Sequence, residues 1–377
     1  MKLSVVIVNY NVKYFLLQLL QSVQRSHTNF EFVVIIVDNA STDGSEKLIP
    51  ERFPWVRFIQ NSENLGFSKA NNQAIKESVG EYVLLLNPDT ILQEKTLQET
   101  VDFLDRHPDA GAVGCRMIDG SGHFLPESKR GFPTPGVAFF KAFGFSSLFP
   151  KSKFFNRYYL GHLDEFETNR IDVLTGAFML IRRSVLDQTG YLDERFFMYG
   201  EDIDLSYRIA QAGYHIYYHP RTTIIHFKGE STKKDTISYV RTFYRAMKDF
   251  ARKHYSGKKA SLLGAILNVA IYFRAGLAVI KNLSQRFGLL VLDYLFIWIV
   301  LFVFSRFWAD WYYQDAEYYR SAYLGTNITI YSAIWTSCLY LLGAYDRVFH
   351  WGRLLRGVAV GWLIIAALYG FFGPTMR

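Results

Sequence analysis

Cysteine is nearly absent from this chain of 377 residues, which has only Cys115 and Cys338. The two thiols fit no disulfide or metal-binding pattern, and their scarcity is typical of a reducing compartment. A signal peptide is also missing from the sequence as given, because the first apolar run is only as long as a strand. We therefore expect a protein that is not exported by cleavage of a leader.

Two common nucleotide-binding motifs are missing as well. No G-x-G-x-x-G follows the first apolar run, which disfavours a dehydrogenase, and no G-x-x-x-x-G-K-[ST] disfavours a P-loop enzyme. Positive charge is in modest excess, with 42 Lys and Arg against 34 Asp and Glu. Because these residues form no concentrated patch, we expect no nucleic-acid partner.

The first 90 residues instead alternate between buried-strand and helix patterns. Apolar runs at 3–8, 31–37, 56–59 and 82–86 are separated by helical spacing at 15–23 and 68–78. This alternation predicts a parallel sheet with right-handed crossovers and helices on both faces. Asn or Asp follows each run, so we expect these polar residues at one edge of the sheet, where a ligand with hydroxyls and a phosphate would bind.

The turn after the fourth run, Asn87-Pro88-Asp89, is the most informative of these strand ends. Pro88 has no amide donor and ends the strand, so Asp89 is presented in the crevice beyond it. An ordinary Asn-Pro-Asp turn explains the same residues. From this turn alone, the binding role and the turn role remain equally open.

Seven stretches, in chain order, together resemble one enzyme family: VIVNYN, VDNASTDGS, NLGFSKANNQAI, LLLNPDT, TGAFMLIRR, FFMYGEDIDLSYR and HFKGEST. They are similar to family 2 glycosyltransferases of the rhamnosyltransferase-like branch, over about residues 1–255. The resemblance implies the GT-A fold, a Rossmann-like α/β domain with a mixed, mostly parallel sheet. It also implies transfer of a sugar from a nucleotide diphosphate to an acceptor hydroxyl, with inversion of the anomeric centre.

By this resemblance, the donor site lies at the strand ends. Asp38 corresponds to the carboxylate that reads the base or ribose, and Tyr10 is available to stack on the base. The asparagines also suit caps and turns, so that alternative stays open for them. The other residues that we expect on the donor side are Asn9, Asn11, Asn64, Gly66, Asn71, Asn87 and Asp89.

The chemistry of the donor favours a divalent metal. Cleaving the sugar–diphosphate bond leaves negative charge on the diphosphate, which Mg²⁺ or Mn²⁺ can neutralise while bound to carboxylate and phosphate oxygens. Asp89 supplies one carboxylate, whereas Asn87 replaces the first acid of the family's Asp-x-Asp motif and removes one charge. The resemblance implies His226 as the second protein ligand, although a hydrogen-bonded loop histidine is the alternative. We expect Lys228, Gly229, Ser231 and Thr232 to form a loop over the phosphates.

The candidate general base lies in Glu201-Asp202-Ile203-Asp204, at the predicted start of a helix. Acids are favoured in a first helical turn by the helix dipole, which alone explains all three. Their mutual repulsion can also raise one pKa toward the working pH. The family pattern assigns the base to Asp202, with Glu201 as the second choice and Asp204 as a local helix-start residue.

In similar enzymes the segment Thr175-Gly176-Ala177 borders the acceptor side of the cleft, and its small residues would let a sugar ring approach the backbone closely. Residues 124–170 predict loops or short helices near the acceptor, and the sequence assigns no role to them.

Downstream of residue 255 the chain becomes apolar and aromatic. We expect a linker and amphipathic helix at 256–286, then three membrane spans at about 287–305, 328–345 and 357–373. Eighteen helical residues measure roughly 27 Å, close to the hydrocarbon thickness of a bilayer. A buried helix of a soluble domain is the alternative for 287–305, and Trp and Tyr flanks disfavour it.

Lys and Arg placement predicts the orientation. Basic residues lie before the first span and between the second and third, whereas the loop at 308–327 is mainly acidic. The positive-inside rule therefore predicts a multi-pass protein of the bacterial inner membrane with a cytoplasmic catalytic domain. The region after residue 287 also weakly resembles the membrane-spanning start of polyprenyl-phosphate sugar transferases.

Together these features predict an inverting, metal-dependent glycosyltransferase. Its donor would be a dTDP- or UDP-sugar, and its acceptor a polyprenyl-diphosphate-linked glycan in bacterial surface polysaccharide synthesis. A processive polysaccharide synthase is one alternative, but the chain lacks the Gln-x-x-Arg-Trp motif of those enzymes. A catalytically inactive glycosyltransferase-like membrane scaffold is another, disfavoured because both Asp89 and Asp202 are present.

Overall fold

The computed structural model describes residues 1–227, 236–255, 257–315, 317–319, 321–346 and 350–372. By compactness the chain divides into Met1–Tyr272 and Phe273–Arg377. The strands are β1 Leu3–Asn9, β2 Phe32–Asp38, β3 Arg57–Gln60, β4 Tyr82–Leu86, β5 Thr90–Leu92, β6 Ala110–Ile118, β7 Asn169–Ile171, β8 Phe178–Arg182 and β9 His215–His226.

Helices alternate with these strands up to His226, and the elements described after His226 are all helices. They are α1 Lys13–Gln24, α2 Ser45–Arg52, α3 Phe67–Glu77, α4 Thr96–Arg106, α5 Pro135–Ala142, α6 Phe145–Leu148, α7 Arg183–Thr189, α8 Glu201–Gln211, α9 Thr236–His254, α10 Gly257–Tyr313, α11 Ser321–Leu341 and α12 Trp351–Phe372. A short 3₁₀ turn covers Pro126–Ser128.

One mixed sheet organises the first unit. Its strand order is β3-β2-β1-β4-β8-β6-β9-β5, with β7 paired to β9. The first four strands in this order are parallel, so their carboxyl ends meet at one edge, and Asn9 lies opposite Asp38 in the register. β8 runs antiparallel between β4 and β6. The mixed, mostly parallel sheet confirms the predicted fold class.

Two apolar layers cover the faces of this sheet, because successive side chains of a strand point to opposite sides. Val5 and Ile7 of β1 pack with α1 and α4, whereas Val6 and Val8 pack with α3 and α8. All seven residues of β1 are buried. Each fully buried aliphatic side chain contributes roughly 1.5–3 kcal/mol, which explains the unbroken apolar runs.

Three helical segments make up most of the second unit. α10 is continuous over 57 residues, so the predicted amphipathic segment and first span belong to one helix. Within the described residues, two segments are long and apolar enough to cross a membrane, Phe287–Tyr313 and Trp351–Phe371. The predicted second span falls largely on α11, which does not meet this criterion. A third span and the predicted domain boundaries therefore stay predictions.

α11 and α12 nevertheless pack closely against each other. Trp335 on α11 donates from Nε1 to the carbonyl of Val358 at 3.0 Å. A Cβ added to Gly361 would lie within 3 Å of the Trp335 ring, and one added to Gly357 would meet Leu339 at 2.8 Å. The pairing of later residues on α11 with earlier residues on α12 shows that the two helices are antiparallel. Glycines spaced by four residues permit this close backbone approach.

Candidate active site

The end of β1 is tied to the end of β2 by buried polar side chains. The Asn9 amide donates from Nδ2 to Asp38 Oδ1 at 2.6 Å and to the hydroxyls of Ser41 and Ser45 at 3.1 and 2.9 Å. Asp38 Oδ2 accepts the amide of Ser41 at 2.9 Å. Asn9 and Asp38 are both fully buried. Asp38 therefore organises the loop after β2 in this structure, and its direct contact with a nucleotide stays a prediction.

A second polar network joins this loop to the start of α3. Asn39 donates from Nδ2 to Asn64 Oδ1 at 2.8 Å, and Asn64 Oδ1 also accepts the amide of Gly66 at 2.9 Å. Asn61 donates to Asn39 Oδ1 at 3.2 Å. The asparagines of VDNAS and NLGFS thus hold two adjacent strand-end loops together, which fits the loop role as well as the predicted donor role.

Three other predicted donor-side residues lie around these loops. Tyr10 is half-buried and directly follows β1. Asn11 is exposed, with a left-handed φ of 55°, and its Oδ1 accepts the amide of Thr42 at 2.7 Å. Asn71 is buried within α3, where Nδ2 donates to the Phe67 carbonyl at 2.8 Å. The Asn71 amide is therefore engaged within its own helix.

Asp89 and His226 are brought together by the pairing of β5 with β9. Thr90 is opposite His226 in this antiparallel ladder, and the amide of Phe227 donates to the Asp89 carbonyl at 2.9 Å. Asp89 Oδ1 lies 3.4 Å from His226 Nε2, and both side chains are buried. The two residues are 137 positions apart in sequence, so the fold creates this pair.

The pair has features suited to a divalent cation. Asp89 Oδ1 and His226 Nδ1 are buried and have no hydrogen-bond partner among the described residues. Two neighbouring ligands of an octahedral metal, each at about 2.1 Å, lie about 3 Å apart, close to the separation of Asp89 Oδ1 and His226 Nε2. Within the described ranges, no cluster of three or more His, Cys, Asp or Glu forms a complete metal site. The residues present therefore fit a metal whose remaining ligands come from phosphate and water. Lys228, Gly229, Ser231 and Thr232 lie outside the described residues.

The three acids at the start of α8 have different surroundings. Burial, followed by the neighbouring charge of Asp202, raises the pKa of Glu201 to about 8. Glu201 Oε2 has no hydrogen-bond partner among the described groups. Asp204 is fully buried, and Arg208, Lys253 and His254 bind its carboxylate; these cationic and hydrogen-bonding partners lower its pKa despite burial. Asp204 thus links α8 to α9, which extends the local role predicted for it.

Asp202 forms a nearly buried ion pair that sequence reasoning missed. Its Oδ2 lies 2.5 Å from a guanidinium nitrogen of Arg130, which also donates to the Leu174 carbonyl at 2.6 Å. The other oxygen, Oδ1, accepts the amide of Ile203 at 2.8 Å. Arg130 lies in the segment to which the sequence assigned no role. The clue available was a basic residue in a stretch without acids, which does not by itself identify a partner.

Backbone contacts connect the acceptor-side segment to both acids. The amide of Asn87 donates to the Ala177 carbonyl at 3.1 Å, so Thr175–Ala177 adjoins the Asp89 turn. Leu174, whose carbonyl binds Arg130, directly precedes Thr175. Thr175 is half-buried, whereas Gly176 and Ala177 are buried. The structure therefore joins the predicted metal ligand, the acceptor-side segment and the predicted base through short contacts.

The Gly66 loop is joined to the residues before α8. The Phe67 amide donates to the Phe197 carbonyl at 2.8 Å, and Ser68 donates to the Phe196 carbonyl at 2.6 Å. Gly66 has a left-handed φ of 85°, and a Cβ there would lie 2.6 Å from the Phe197 ring. Only glycine satisfies both constraints, which explains this residue at the start of α3.

Comparison of the sequence with known proteins identifies the family of the first unit. A model described as glycosyl transferase family 2 matches residues 4–190. N-acetylglucosaminyl-diphospho-decaprenol L-rhamnosyltransferase of Mycobacterium tuberculosis is 30% identical over 263 residues, which cover 67% of this chain and 85% of that enzyme. The chain belongs to glycosyl transferase family 2. It is a glycosyltransferase, as the motifs predicted.

Two further proteins are less similar in sequence. Rhamnosyltransferase WbbL of Escherichia coli K12 is 24% identical over 233 residues, which cover 59% of this chain and 82% of WbbL. The crystal structure of Staphylococcus aureus TarS 1–349 in complex with UDP-GlcNAc has a TM-score of 0.48 and 19% identity, covering 88% of this chain and 91% of that one.

Proposed function

We propose that this family 2 glycosyltransferase is inverting and metal-dependent. It transfers a sugar from a nucleotide diphosphate to a polyprenyl-diphosphate-linked glycan during bacterial surface polysaccharide synthesis. The observation on which the proposal chiefly rests is the buried approach of Asp89 Oδ1 to His226 Nε2, at the carboxyl edge of the sheet. A buried carboxylate oxygen that lacks a hydrogen-bond partner among the described residues, beside an imidazole nitrogen at this edge, suits a diphosphate-bound cation better than a structural ion pair.

The donor would bind along the ends of β1, β2 and β4. Tyr10 packs against the base, and the buried Asn9–Asp38 pair holds the loops that surround the ribose. Asp89 and His226 would hold Mg²⁺ or Mn²⁺, which would offset the negative charge of the leaving diphosphate. Asn87 in place of an acid leaves one fewer carboxylate, so metal binding should depend on the nucleotide.

The transfer step is a single displacement at the anomeric carbon. Asp202 accepts the proton of the acceptor hydroxyl as its oxygen forms the new bond to that carbon. The bond to the diphosphate oxygen breaks on the opposite face, and its electron pair leaves with the diphosphate. Arg130 pairs with Oδ2 of Asp202 and so fixes the orientation of the carboxylate. Loss of the base in Asp202→Asn is expected to lower kcat by roughly 10²–10⁴-fold.

The relatives support a lipid-linked acceptor and suggest rhamnose. The mycobacterial relative is an L-rhamnosyltransferase named for N-acetylglucosaminyl-diphospho-decaprenol, and it covers most of the catalytic unit. We therefore assign a polyprenyl diphosphate acceptor bearing a sugar to this chain as well. dTDP-rhamnose is the first donor to test, with UDP-sugars as the alternative.

Membrane attachment would follow from the helices of the second unit. We propose that α11 spans the bilayer together with Phe287–Tyr313 and Trp351–Phe371. α11 has no Asp, Glu, Lys or Arg and packs tightly on α12. With only two spans, Arg353 and Arg356 would lie on the side opposite the catalytic unit, against the positive-inside rule. Three spans put them in the cytoplasm of a bacterial inner-membrane protein.

Calorimetric titration tests the donor site directly. Detergent-purified full chain is titrated with dTDP and UDP, with and without Mn²⁺, beside Asp89→Asn and His226→Ala. We expect metal-dependent binding of one nucleotide and its loss in both variants. Asp187→Asn, an exposed acid on α7, is the matched control and should bind as wild type does.

The outcome also decides between enzyme and scaffold. Nucleotide binding that is indifferent to Mn²⁺ and to both substitutions would overturn the proposed metal site. No binding of either nucleotide under any condition would favour the catalytically inactive scaffold. A processive synthase remains disfavoured by the missing Gln-x-x-Arg-Trp motif.

A further inference from the structure

Part of the segment between β6 and β7, residues 128–163, is rich in phenylalanine and free of acids. Residues 128–163 contain eight Phe and six Lys or Arg, with no Asp or Glu. Three of the cations are used internally: Arg130 pairs with Asp202, Lys129 donates to the carbonyls of Leu160 and Leu163, and Lys141 lies 3.2 Å from the centre of the Tyr158 ring. The remaining three are Lys151, Lys153 and Arg157. No part of the proposed transfer chemistry uses these three cations or most of the Phe residues.

Seven of these phenylalanines form one connected ring cluster. Phe140 contacts Phe154 and Phe155 with ring centroids 5.0 Å apart, and Phe155 contacts Phe149 at 4.9 Å. Phe139 joins the cluster through Phe143 at 4.7 Å. We call the following set the Phe-rich surface: Phe139, Phe140, Phe143, Phe145, Phe149, Phe154 and Phe155, with Leu148.

This cluster is open to solvent on one side. Leu148 is 69% exposed, Phe154 68% and Phe149 44%. Lys151 and Lys153 lie within the same stretch and are exposed as well. The opposite side of the segment is anchored in the catalytic unit, where Ala138 and Ala142 belong to a core with Phe196 and Ile203. A fixed apolar surface flanked by cations is therefore presented outward.

The composition favours one occupant over the others. Contiguous exposed apolar side chains on a soluble unit usually mark a contact surface. Aromatic side chains with flanking lysines are typical of segments that lie in the headgroup–acyl boundary of an anionic bilayer. A second copy would bring Lys151, Lys153 and Arg157 against the same three cations with no acid within residues 128–163, which disfavours self-association through this surface. The chain also has two helical segments that are long and apolar enough to span a membrane. We therefore favour a lipid bilayer as the partner of this surface.

We infer that the Phe-rich surface inserts into the headgroup region of an anionic lipid bilayer. Leu148, Phe149 and Phe154 enter the acyl boundary, while Lys151, Lys153 and Arg157 contact lipid phosphates. Through Arg130 and Asp202 the same segment touches the proposed base, so docking brings that base to the membrane surface where a lipid-linked acceptor resides. Docking itself does not depend on whether the protein transfers a sugar.

Site-directed spin labelling of the full chain tests this inference. Leu148→Cys and Phe154→Cys are labelled separately, and Val79→Cys is the control, because Val79 is an apolar residue 72% exposed elsewhere in the catalytic unit. The native cysteines Cys115 and Cys338 are buried and react slowly. Labelled protein is reconstituted in nanodiscs of phosphatidylcholine with phosphatidylglycerol. Collision of the label with oxygen and with a water-soluble nickel chelate is then measured by electron paramagnetic resonance.

We expect the labels at 148 and 154 to collide several-fold more with oxygen than with the nickel chelate, and the label at 79 to show the reverse. Adding Lys151→Glu and Lys153→Glu should shift the labels at 148 and 154 toward water, and this shift should be smaller in nanodiscs without phosphatidylglycerol. Labels at 148 and 154 that are as accessible to the chelate as the label at 79 would overturn the inference. Dipolar broadening between copies would also overturn it and indicate self-association instead.

The lipid acceptor is an alternative source of apolar contact, and the same nanodiscs separate the two. They contain no polyprenyl lipid, so bilayer insertion is seen without it, whereas a change only after polyprenyl phosphate is added would contradict the inference. Nucleotide titration of the same labelled proteins reports the donor site independently. Failure of docking and failure of the proposed transferase are therefore distinguishable.

Discussion

At the scale of single residues, Glu201 and Asp202 are adjacent acids with opposite surroundings. Asp202 has a guanidinium against Oδ2, whereas Glu201 is buried, forms no ion pair with a residue that the structure describes, and has its pKa raised to about 8. The structure therefore separates a carboxylate that is paired with Arg130 from one that is largely protonated near neutral pH. This difference favours Asp202 as the base. Glu201 would then be an uncharged neighbour of the base with a structural role.

Stability should consequently depend on pH through Glu201. Its pKa is higher in the folded chain than its ordinary value of 4.5, so the folded state binds this proton more tightly. That contribution to stability is complete below about pH 4.5 and is lost as the pH rises through about 8. Glu201→Gln mimics the protonated form, and we expect it to be more stable than wild type by at least ~1 kcal/mol at about pH 9. Thermal unfolding of both proteins across this range measures the difference.

The matched control for this prediction is Glu51→Gln, an exposed glutamate of α2. Its unfolding curves should run parallel to those of wild type at every pH. If the stability of Glu201→Gln also ran parallel to that of wild type at every pH, burial would not raise the pKa of the Glu201 carboxyl.

The Arg130–Asp202 pair should behave as one unit. Both side chains are about nine-tenths buried, so removing one partner leaves an uncompensated charge. We expect Arg130→Met to destabilise the fold by about 3–5 kcal/mol, and Arg130→Met with Asp202→Asn to be less harmful than the sum of the single changes. Thermal unfolding of the four proteins gives the coupling energy. Additive effects would mean that the ion pair contributes nothing to the fold.

At the scale of elements, the contact between the Gly66 loop and Phe197 predicts a strong effect of a single methyl group. Gly66→Ala combines a left-handed backbone with a Cβ that overlaps the Phe197 ring. We expect the KM for the donor to rise and kcat to fall, because both the loop and the start of α8 must shift. Gly264→Ala in α10, where no atom lies within 4 Å of the added Cβ, is the control and should retain wild-type kinetics. Unchanged kinetics in Gly66→Ala would show that the loop adapts freely.

The elements themselves were predictable to different degrees. β1, β2 and β4 were predicted within about one residue at each end, because a strand buried on both faces needs an unbroken apolar run. The direction of β8 was not predictable, because the apolar pattern of Met179–Ile181 fits a buried parallel strand as well as a buried antiparallel one. Arg130 was missed because its partner lies 72 residues away and no periodicity marks the segment between them. The pattern around Asp38 predicted the end of a strand but did not predict that the Asp38 side chain is completely buried.

At the scale of the whole molecule, the three-span topology has a direct readout. Asp315→Cys follows the first candidate span, and Val79→Cys lies in the catalytic unit. In intact bacterial cells, a membrane-impermeant maleimide should label the cysteine at 315, whereas the cysteine at 79 should react only after lysis. Burial raises the pKa of the Cys115 thiol, so little of the reactive thiolate is present as background. Labelling at 79 in intact cells would contradict the proposed orientation.

A second site separates two spans from three. Gly352→Cys, at the first turn of the second candidate span Trp351–Phe371, should be protected in intact cells if α11 crosses the bilayer. Labelling of this site together with the one at 315 would leave α11 on the outer side and remove the third span. The sequence predicted three apolar stretches but could not decide whether two or three of them cross the membrane. The reason is that α11 contains Ser, Thr, Asn and Tyr, which lower its hydropathy.

The hydrogen bonds from Phe67 and Ser68 to the loop before α8 have a consequence for the order of events in turnover. The loop that we propose to contact the donor is hydrogen-bonded to Phe196 and Phe197, which precede the helix of the proposed base. We therefore expect donor binding to restrain the start of this helix before an acceptor hydroxyl reaches Asp202. The nucleotide sugar should then be the first substrate to bind and the nucleoside diphosphate the last product to leave.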